Sequence, residues 1–284
     1  VGDRLRGARR PGARAATMTA GVVGARPRHV PQTELRSGVG YWVASLASMM
    51  RFDYGRVRQW VPMMIVIQTL MGAGMALLYG FFYPHITAIR ALYITTGAPT
   101  LALVPVGFVM LPGTVAEQKL EGTFDYIWSL PSPRSAQAAS TFTLFTLFAL
   151  PGSVFALLVA AWRYDVHLAL SPLLVPAVLL CALMAITVGY GMALAIPNPM
   201  VTNVVTNALM FVVLLFSPIV YPASQLPAWL ATVHYFLPFY NMAVVIRAGL
   251  TSGLVAHVAI SFVVLAAWTA AGAAATAWVV GHRR

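Results

Sequence analysis

Few side chains in this 284-residue sequence are suited to catalysis or metal binding. The carboxylates are Asp3, Glu34, Asp53, Glu117, Glu121, Asp125 and Asp165, and none falls within a long apolar run. A proton relay of carboxylates inside a membrane is therefore not expected. The histidines, His29, His85, His167, His234, His257 and His282, are scattered, and each is expected in solvent or near a membrane edge. The single cysteine, Cys181, has no Cys or His neighbour at zinc-ligand spacing and reads as an inert buried thiol. A phosphate-binding loop needs a lysine followed by Ser or Thr, and the only lysine, Lys119, precedes Leu120. The sequence thus predicts no catalytic residues, no metal site and no cofactor held by this chain.

Three other groups of residues have types and spacings that could serve a membrane function. Thr187-Val188-Gly189-Tyr190-Gly191 spells the potassium-filter pentapeptide, whose carbonyls replace an ion's hydration shell when four such loops converge. Here apolar residues flank it on both sides and no amphipathic pore helix precedes it, so close helix packing through the glycines is the expected role. Asn203, Asn207 and Phe211 recur every four residues and share one helix face, and Gln68 with Thr69 is a similar polar insertion in an apolar run. Polar groups there face either a partner helix or a water-filled path.

The third group lies between Pro112 and Arg134, where Glu117, Lys119, Glu121 and Asp125 concentrate charge that the neighbouring sequence avoids. Thr114 and Glu117 fit a capping box that starts a short helix, and Gly122 is a natural stop for it. Thr123 is expected to cap a second short helix over Phe124–Leu130, with Phe124, Ile127 and Trp128 on its apolar side. Ser132-Pro133 then opens the next helix, with proline at its first position. A docking surface for a partner and a well-capped connector account for this stretch equally.

The elements that position these residues are membrane helices. The chain is 60% hydrophobic and 9% charged, against roughly 25% charge in soluble domains. Apolar stretches of spanning length run approximately over 61–82, 92–111, 142–162, 168–195, 201–220 and 254–280. Of 18 Lys and Arg, 11 lie between Arg4 and Arg58, and the chain closes on Arg283 and Arg284. Both ends are therefore expected in the cytoplasm, consistent with an even number of spans. The same placement beside membrane spans argues against nucleic acid as the partner of the basic segment. Nothing near residue 1 resembles a cleavable leader, and Met18 is a candidate start. The expected architecture is all-α. It comprises a disordered basic tail (1–40), an amphipathic helix on lipid (41–60) and a six-helix membrane domain (61–284). Prolines 218, 222, 227 and 238 interrupt an apolar external segment, 221–253, which reads as re-entrant.

Glu117, Glu121-Gly122-Thr123, Pro131 and Arg134 match the Glu-x-x-x-Gly-Thr, Pro and Arg pattern of type-2 ABC exporter permeases. Phe216 through Pro222, Leu226-Pro227, Leu237-Pro238 and Arg247 resemble that family's fifth span, re-entrant segment and the arginine before the last span. The antibiotic and multidrug exporter branch is the nearest in character. The resemblance implies a multi-pass inner-membrane permease that pairs with a second permease subunit, as a homo- or heterodimer. It also implies a separate ATPase that carries ATP and Mg. Glu117, Glu121, Gly122, Thr123, Asp125 and Trp128 would couple to that ATPase. Gln68, Thr69, Asn203, Asn207 and Phe211 would border the substrate pathway. Pro218, Tyr221, Pro222, Pro227 and Arg247 would build the external segment. The cargo implied is a drug-like or lipid amphiphile. A polysaccharide or glycolipid exporter, an ion channel and a membrane-embedded lipid enzyme are the alternatives.

Overall fold

The computed structural model describes residues 38–82, 86–255 and 257–282. The expected tail over residues 1–37, His85 and the closing Arg283-Arg284 lie outside them. Among the described residues the chain is helical without strands, and six helices are long and apolar enough to cross a membrane.

Helix α1, Val39–Val57, precedes the spans, and its buried residues Ser45, Met49 and Val57 repeat at helical spacing. Span one is α2, Val61–Phe82. Span two begins as α3, Ala88–Pro105, capped by the Thr87 hydroxyl, which accepts from Arg90 N–H at 3.4 Å. It continues through a π-helical turn, Val106–Met110, into α4, Leu111–Leu120, without a break. The turn is marked by Leu111 N–H donating to the Val106 carbonyl. At 1.5 Å per residue this 33-residue rod is about 50 Å long, well beyond the roughly 30 Å of bilayer hydrocarbon.

The separate helix expected to start at Thr114 therefore does not exist. The Thr114 hydroxyl donates back to the Met110 carbonyl at 2.9 Å inside a continuous helix, so it caps nothing. Apolar residues before Pro112 carry the helix onward, and proline is tolerated because neighbouring helices enclose this stretch. Gly122 does stop the rod, at φ +73°. Helix α5, Thr123–Ser129, follows, but Gly122 is its N-cap and the Thr123 side chain does not cap it.

Span three is α6, Arg134–Tyr164, with Pro133 as its N-cap rather than its first residue, so it begins eight residues before the apolar run. Span four is α7, Leu174–Ala195, and span five is α8, Pro199–Phe216, whose Asn198 side chain accepts from Met200 N–H at 2.9 Å. Helices α9, Ala228–Phe236, and α10, Pro238–Leu250, meet at 77°, a bend that fits the expected re-entrant segment. Span six is α11, Val258–His282.

Span two is the hub, buried by α2, α6, α7 and α10, whereas α2, α8 and α11 leave most of their surface uncovered by this chain. The Thr187–Gly191 pentapeptide lies inside α7 as ordinary helix, so its carbonyls are not arrayed as an ion filter. Its small residues instead bring backbones together. A Cβ at Gly189 would overlap the Gly107 carbonyl in the π-turn, and one at Gly191 would lie 3.2 Å from the Gly272 carbonyl oxygen of α11. This is small-residue packing between membrane helices.

Candidate functional site

The end of the bundle that holds α1, α4, α5 and the last turn of α11 gathers most of the chemistry. Helix α5 turns Phe124 and Ile127 into the core and leaves Asp125, Tyr126 and Ser129 exposed. The Trp128 ring, half-buried, packs on Phe124 at 5.1 Å, and the Arg134 guanidinium sits 5.0 Å above it. Arg134 also donates to the Val280 carbonyl at 2.6 Å, which ties α5 and the start of α6 to the end of α11. Glu117, Glu121 and Gly122 are exposed, and the Thr123 hydroxyl lies 3.5 Å from a Glu121 carboxylate oxygen. Helix α1 closes the other side. The Tyr41 hydroxyl donates to the Pro131 carbonyl, and Trp42 Nε1 donates to Ser135 Oγ at 3.0 Å.

Lys119 is not part of the exposed charge. Its ammonium donates to the carbonyls of Ala193 at 2.6 Å and Ile196 at 2.7 Å, so it caps the C-terminus of α7. A cation at that end of a helix is favoured by the unsatisfied carbonyls and the helix dipole. The rod of span two thereby grips span four.

Sequence reading also missed Asp53. The Ser140 hydroxyl of α6 donates to its carboxylate at 2.8 Å, and burial raises its pKa above the usual carboxylate range despite that bond and the nearby Arg56. Its position carried a signal, because residues 45, 49, 53 and 57 form one stripe of α1. Asp53, Gln118, Gln137, Thr141 and Tyr190 line a small cavity shared by α1, α4, α5, α6 and α7.

A second, open cavity of about 490 Å³ lies between the α1–α2 junction and the span-two rod. Its walls and floor include Val57, Trp60, Met63, Met64, Ile67, Val109 and Met110, and its polar lining includes Arg56, Gln59, Gln118, Glu117 and Glu121. Gly113 is part of the lining, and a Cβ there would meet only Asn203 Oδ1 of α8, at 3.8 Å.

The polar face of α8 is mixed. Thr202, Thr206, Met210 and Val213 pack inward, while Asn207 and Phe211 are exposed and Asn203 is half-buried. Asn207 Nδ2 donates to the Asn203 carbonyl at 2.8 Å. Gln68 stands apart from this face. It is fully buried between α2 and α6, with Nε2 donating to the Phe148 carbonyl at 3.2 Å and its side chain against Gly152. Thr69 beside it is half-buried.

At the opposite end, Arg247 of α10 is buried to 1% exposure. Its Nε donates to the Thr96 hydroxyl at 3.0 Å, its Nη2 donates to the Ile219 carbonyl at 2.6 Å, and the Tyr93 ring lies 4.1 Å from the guanidinium. Pro218 is buried beside Ile219, Tyr221 and Pro222 are half-buried, and Pro227 is exposed. His234 of α9 is also buried by the protein rather than solvated. The Cys181 thiol is buried as expected.

Among the described residues no group of His, Cys, Asp and Glu could hold a metal ion. The sequence model of the ABC-2 type transporter family matches residues 61–251, from the start of α2 to the end of α10. Comparison with curated proteins returned no match. With the family's domain covering two thirds of a chain that has six helices of spanning length and a bent helix pair before the last of them, this protein belongs to the ABC-2 type transporter family as a multi-pass membrane permease.

Proposed function

We propose that the chain is the membrane subunit of an ATP-driven exporter of drug-like or lipid amphiphiles. It works as one of two permease subunits driven by a separate ATPase that carries ATP and Mg. In this reading the α1 end faces the cytoplasm and α9–α10 face outside. The observation that carries it is the arm. Span two runs as one continuous helix longer than the hydrocarbon core of a bilayer, turns at Gly122 and presents the exposed side of α5, Asp125 and Tyr126. An ATPase seated there would push directly on the most enclosed helix of the bundle. Lys119 would pass the motion to span four, and Arg134 would pass it to span six.

The substrate path follows the uncovered face of α8, with Asn203, Asn207 and Phe211, and the neighbouring cavity between spans one and two. Its volume suits one drug-sized molecule, which favours an amphiphile over a polymer. Gln68 and Thr69 support that wall from behind.

Co-purification with the cognate ATPase, alongside efflux from cells, tests the reading. Glu121→Ala and Asp125→Lys are expected to insert normally, to lose ATPase binding and to cut efflux by about tenfold or more, as loss of charge-assisted contacts at an interface does. Full binding and parental efflux in both variants would reduce the arm to a connector.

A further inference from the structure

Helix α9 buries a single side chain, His234, at 4% exposure. Trp229, Thr232, Val233, Tyr235 and Phe236 around it are exposed. Side-chain hydrogen bonds pin the last turn of α9. Asn241 Nδ2 of α10 donates to the carbonyls of Tyr235 at 2.9 Å and Leu237 at 2.8 Å, and Trp268 Nε1 of α11 donates to the Phe236 carbonyl at 2.9 Å. The chain then bends by 77° into α10. Helix α9 is therefore a lever fixed at 235–237, and its one buried contact is an imidazole.

That imidazole is buried without satisfaction. Neither ring nitrogen has a hydrogen-bond partner among the described residues, although buried polar atoms are nearly always paired. An apolar side chain would fill the place at less cost. Burial pulls the histidine pKa below its ordinary value, while the Phe216 carbonyl at the end of α8 pulls the other way. That carbonyl already accepts from the Tyr221 hydroxyl at 3.3 Å. The elements around α9 offer little other compensation. Helix α8 carries no ionisable group, residues 217–227 carry only Tyr221, and α11 carries only His282, at its far end. Helix α10 carries Tyr240, whose ring meets Tyr235 of α9 at 5.2 Å, and Arg247, which is turned onto Thr96 and Ile219.

We propose that His234 is a proton-operated latch: the neutral ring holds α9 against the bundle, and the charged ring lets α9 swing about the joint at 235–237. The docked state binds the proton less readily than the released one. Docking is therefore fully favoured above about pH 6.5, the ordinary histidine value, and weakens as pH falls below it. Over that range the ratio of released to docked chains rises by up to about tenfold per pH unit. The ligand of this site is the proton, and the latch reads acidity at the α9–α10 end of the bundle, whatever cargo the permease carries.

Double electron–electron resonance on the full chain in phosphatidylcholine nanodiscs tests the latch. Spin labels are placed at Trp229→Cys of α9 and Trp162→Cys near the end of α6, both exposed, and the buried Cys181 is left in place. Singly labelled chains account for distances between copies. At about pH 7.5 the parent is expected to give one narrow distance. At about pH 5 a second, broader population is expected, with the released-to-docked ratio up about tenfold. His234→Gln and His234→Phe carry no charge at either pH and are expected to keep the neutral-pH distance at both. His234→Arg is charged throughout and is expected to show the released population at both, which separates charge from shape.

A single distance at both pH values in the parent overturns the proposal. So does an undiminished acid response in His234→Gln and His234→Phe, which assigns it to another group. Release of both neutral variants at about pH 7.5 makes ring shape the fastening and overturns it too. A parent distribution that narrows in acid makes the Phe216 carbonyl a clamp for the charged ring, the reverse of the latch. A docked His234→Arg chain shows that charge is tolerated there, with the same consequence.

Discussion

The side chains that matter most are the ones whose charge is out of place. Arg247 is a buried cation held by a hydroxyl, a carbonyl and an aromatic face. Removing it leaves a cavity and an orphaned carbonyl, so Arg247→Ala is expected to cost about 2–5 kcal/mol. It should also free α9–α10, seen as a lower melting temperature and faster proteolysis between 217 and 227. Unchanged melting and cleavage would show that the guanidinium anchors nothing. Asp53 makes the opposite case. Burial raises its pKa, so its contribution to stability is fully present in acid, below the ordinary aspartate pKa. That contribution is lost as pH rises through the raised value. Asp53→Asn keeps an oxygen for the Ser140 hydroxyl without the buried charge. It is therefore expected to melt higher than the parent at neutral pH, with the difference shrinking as the pH is lowered. A gap that is constant with pH would rule out ionisation of Asp53 as its source.

Among the elements, the seam of small residues between spans two, four and six carries the clearest mutational contrast. Gly107→Val and Gly272→Val force side chains into the backbone of α7 and are expected to lose about 1–3 kcal/mol or more, or to fail to assemble. Gly74→Ala, where a Cβ meets nothing within 4 Å, is expected to be neutral or slightly stabilising. Thermal melts of the purified variants decide this, and equal effects at the three sites would contradict the packing described. The spans were legible because lipid demands long apolar runs, and Pro218 through Pro238 announced the bent helix pair α9–α10. The arm was less legible. Thr114 and Glu117 look like a capping box, yet tertiary enclosure let the helix run through Pro112, and local signals could not reveal that. Span three began at Arg134 rather than near Phe142 because its first turns are covered by α1 and α5 and need not be apolar. Asp53 was readable from its stripe on α1, but only once Ser140 and Tyr190 stood opposite did its burial have a cause.

Taken whole, the molecule joins the α4–α5 turn, which we propose faces the ATPase, to the cavity beside span one through one helix. If the ATPase acts by moving that helix, the joint at Gly122 must be rigid and must hold its left-handed backbone. A Cβ there meets open space, so substitution tests conformation rather than sterics. Asparagine tolerates φ near +73°, whereas valine resists it at about 1–2 kcal/mol. The decisive measurement is efflux of substrate from cells that co-express the cognate ATPase with Gly122, Gly122→Asn or Gly122→Val chains at matched membrane levels. The account predicts near-parental efflux for Asn and about a tenfold loss for Val, the factor to which about 1–2 kcal/mol against the coupled geometry corresponds. Equal efflux in all three would contradict the claim that the arm transmits the stroke.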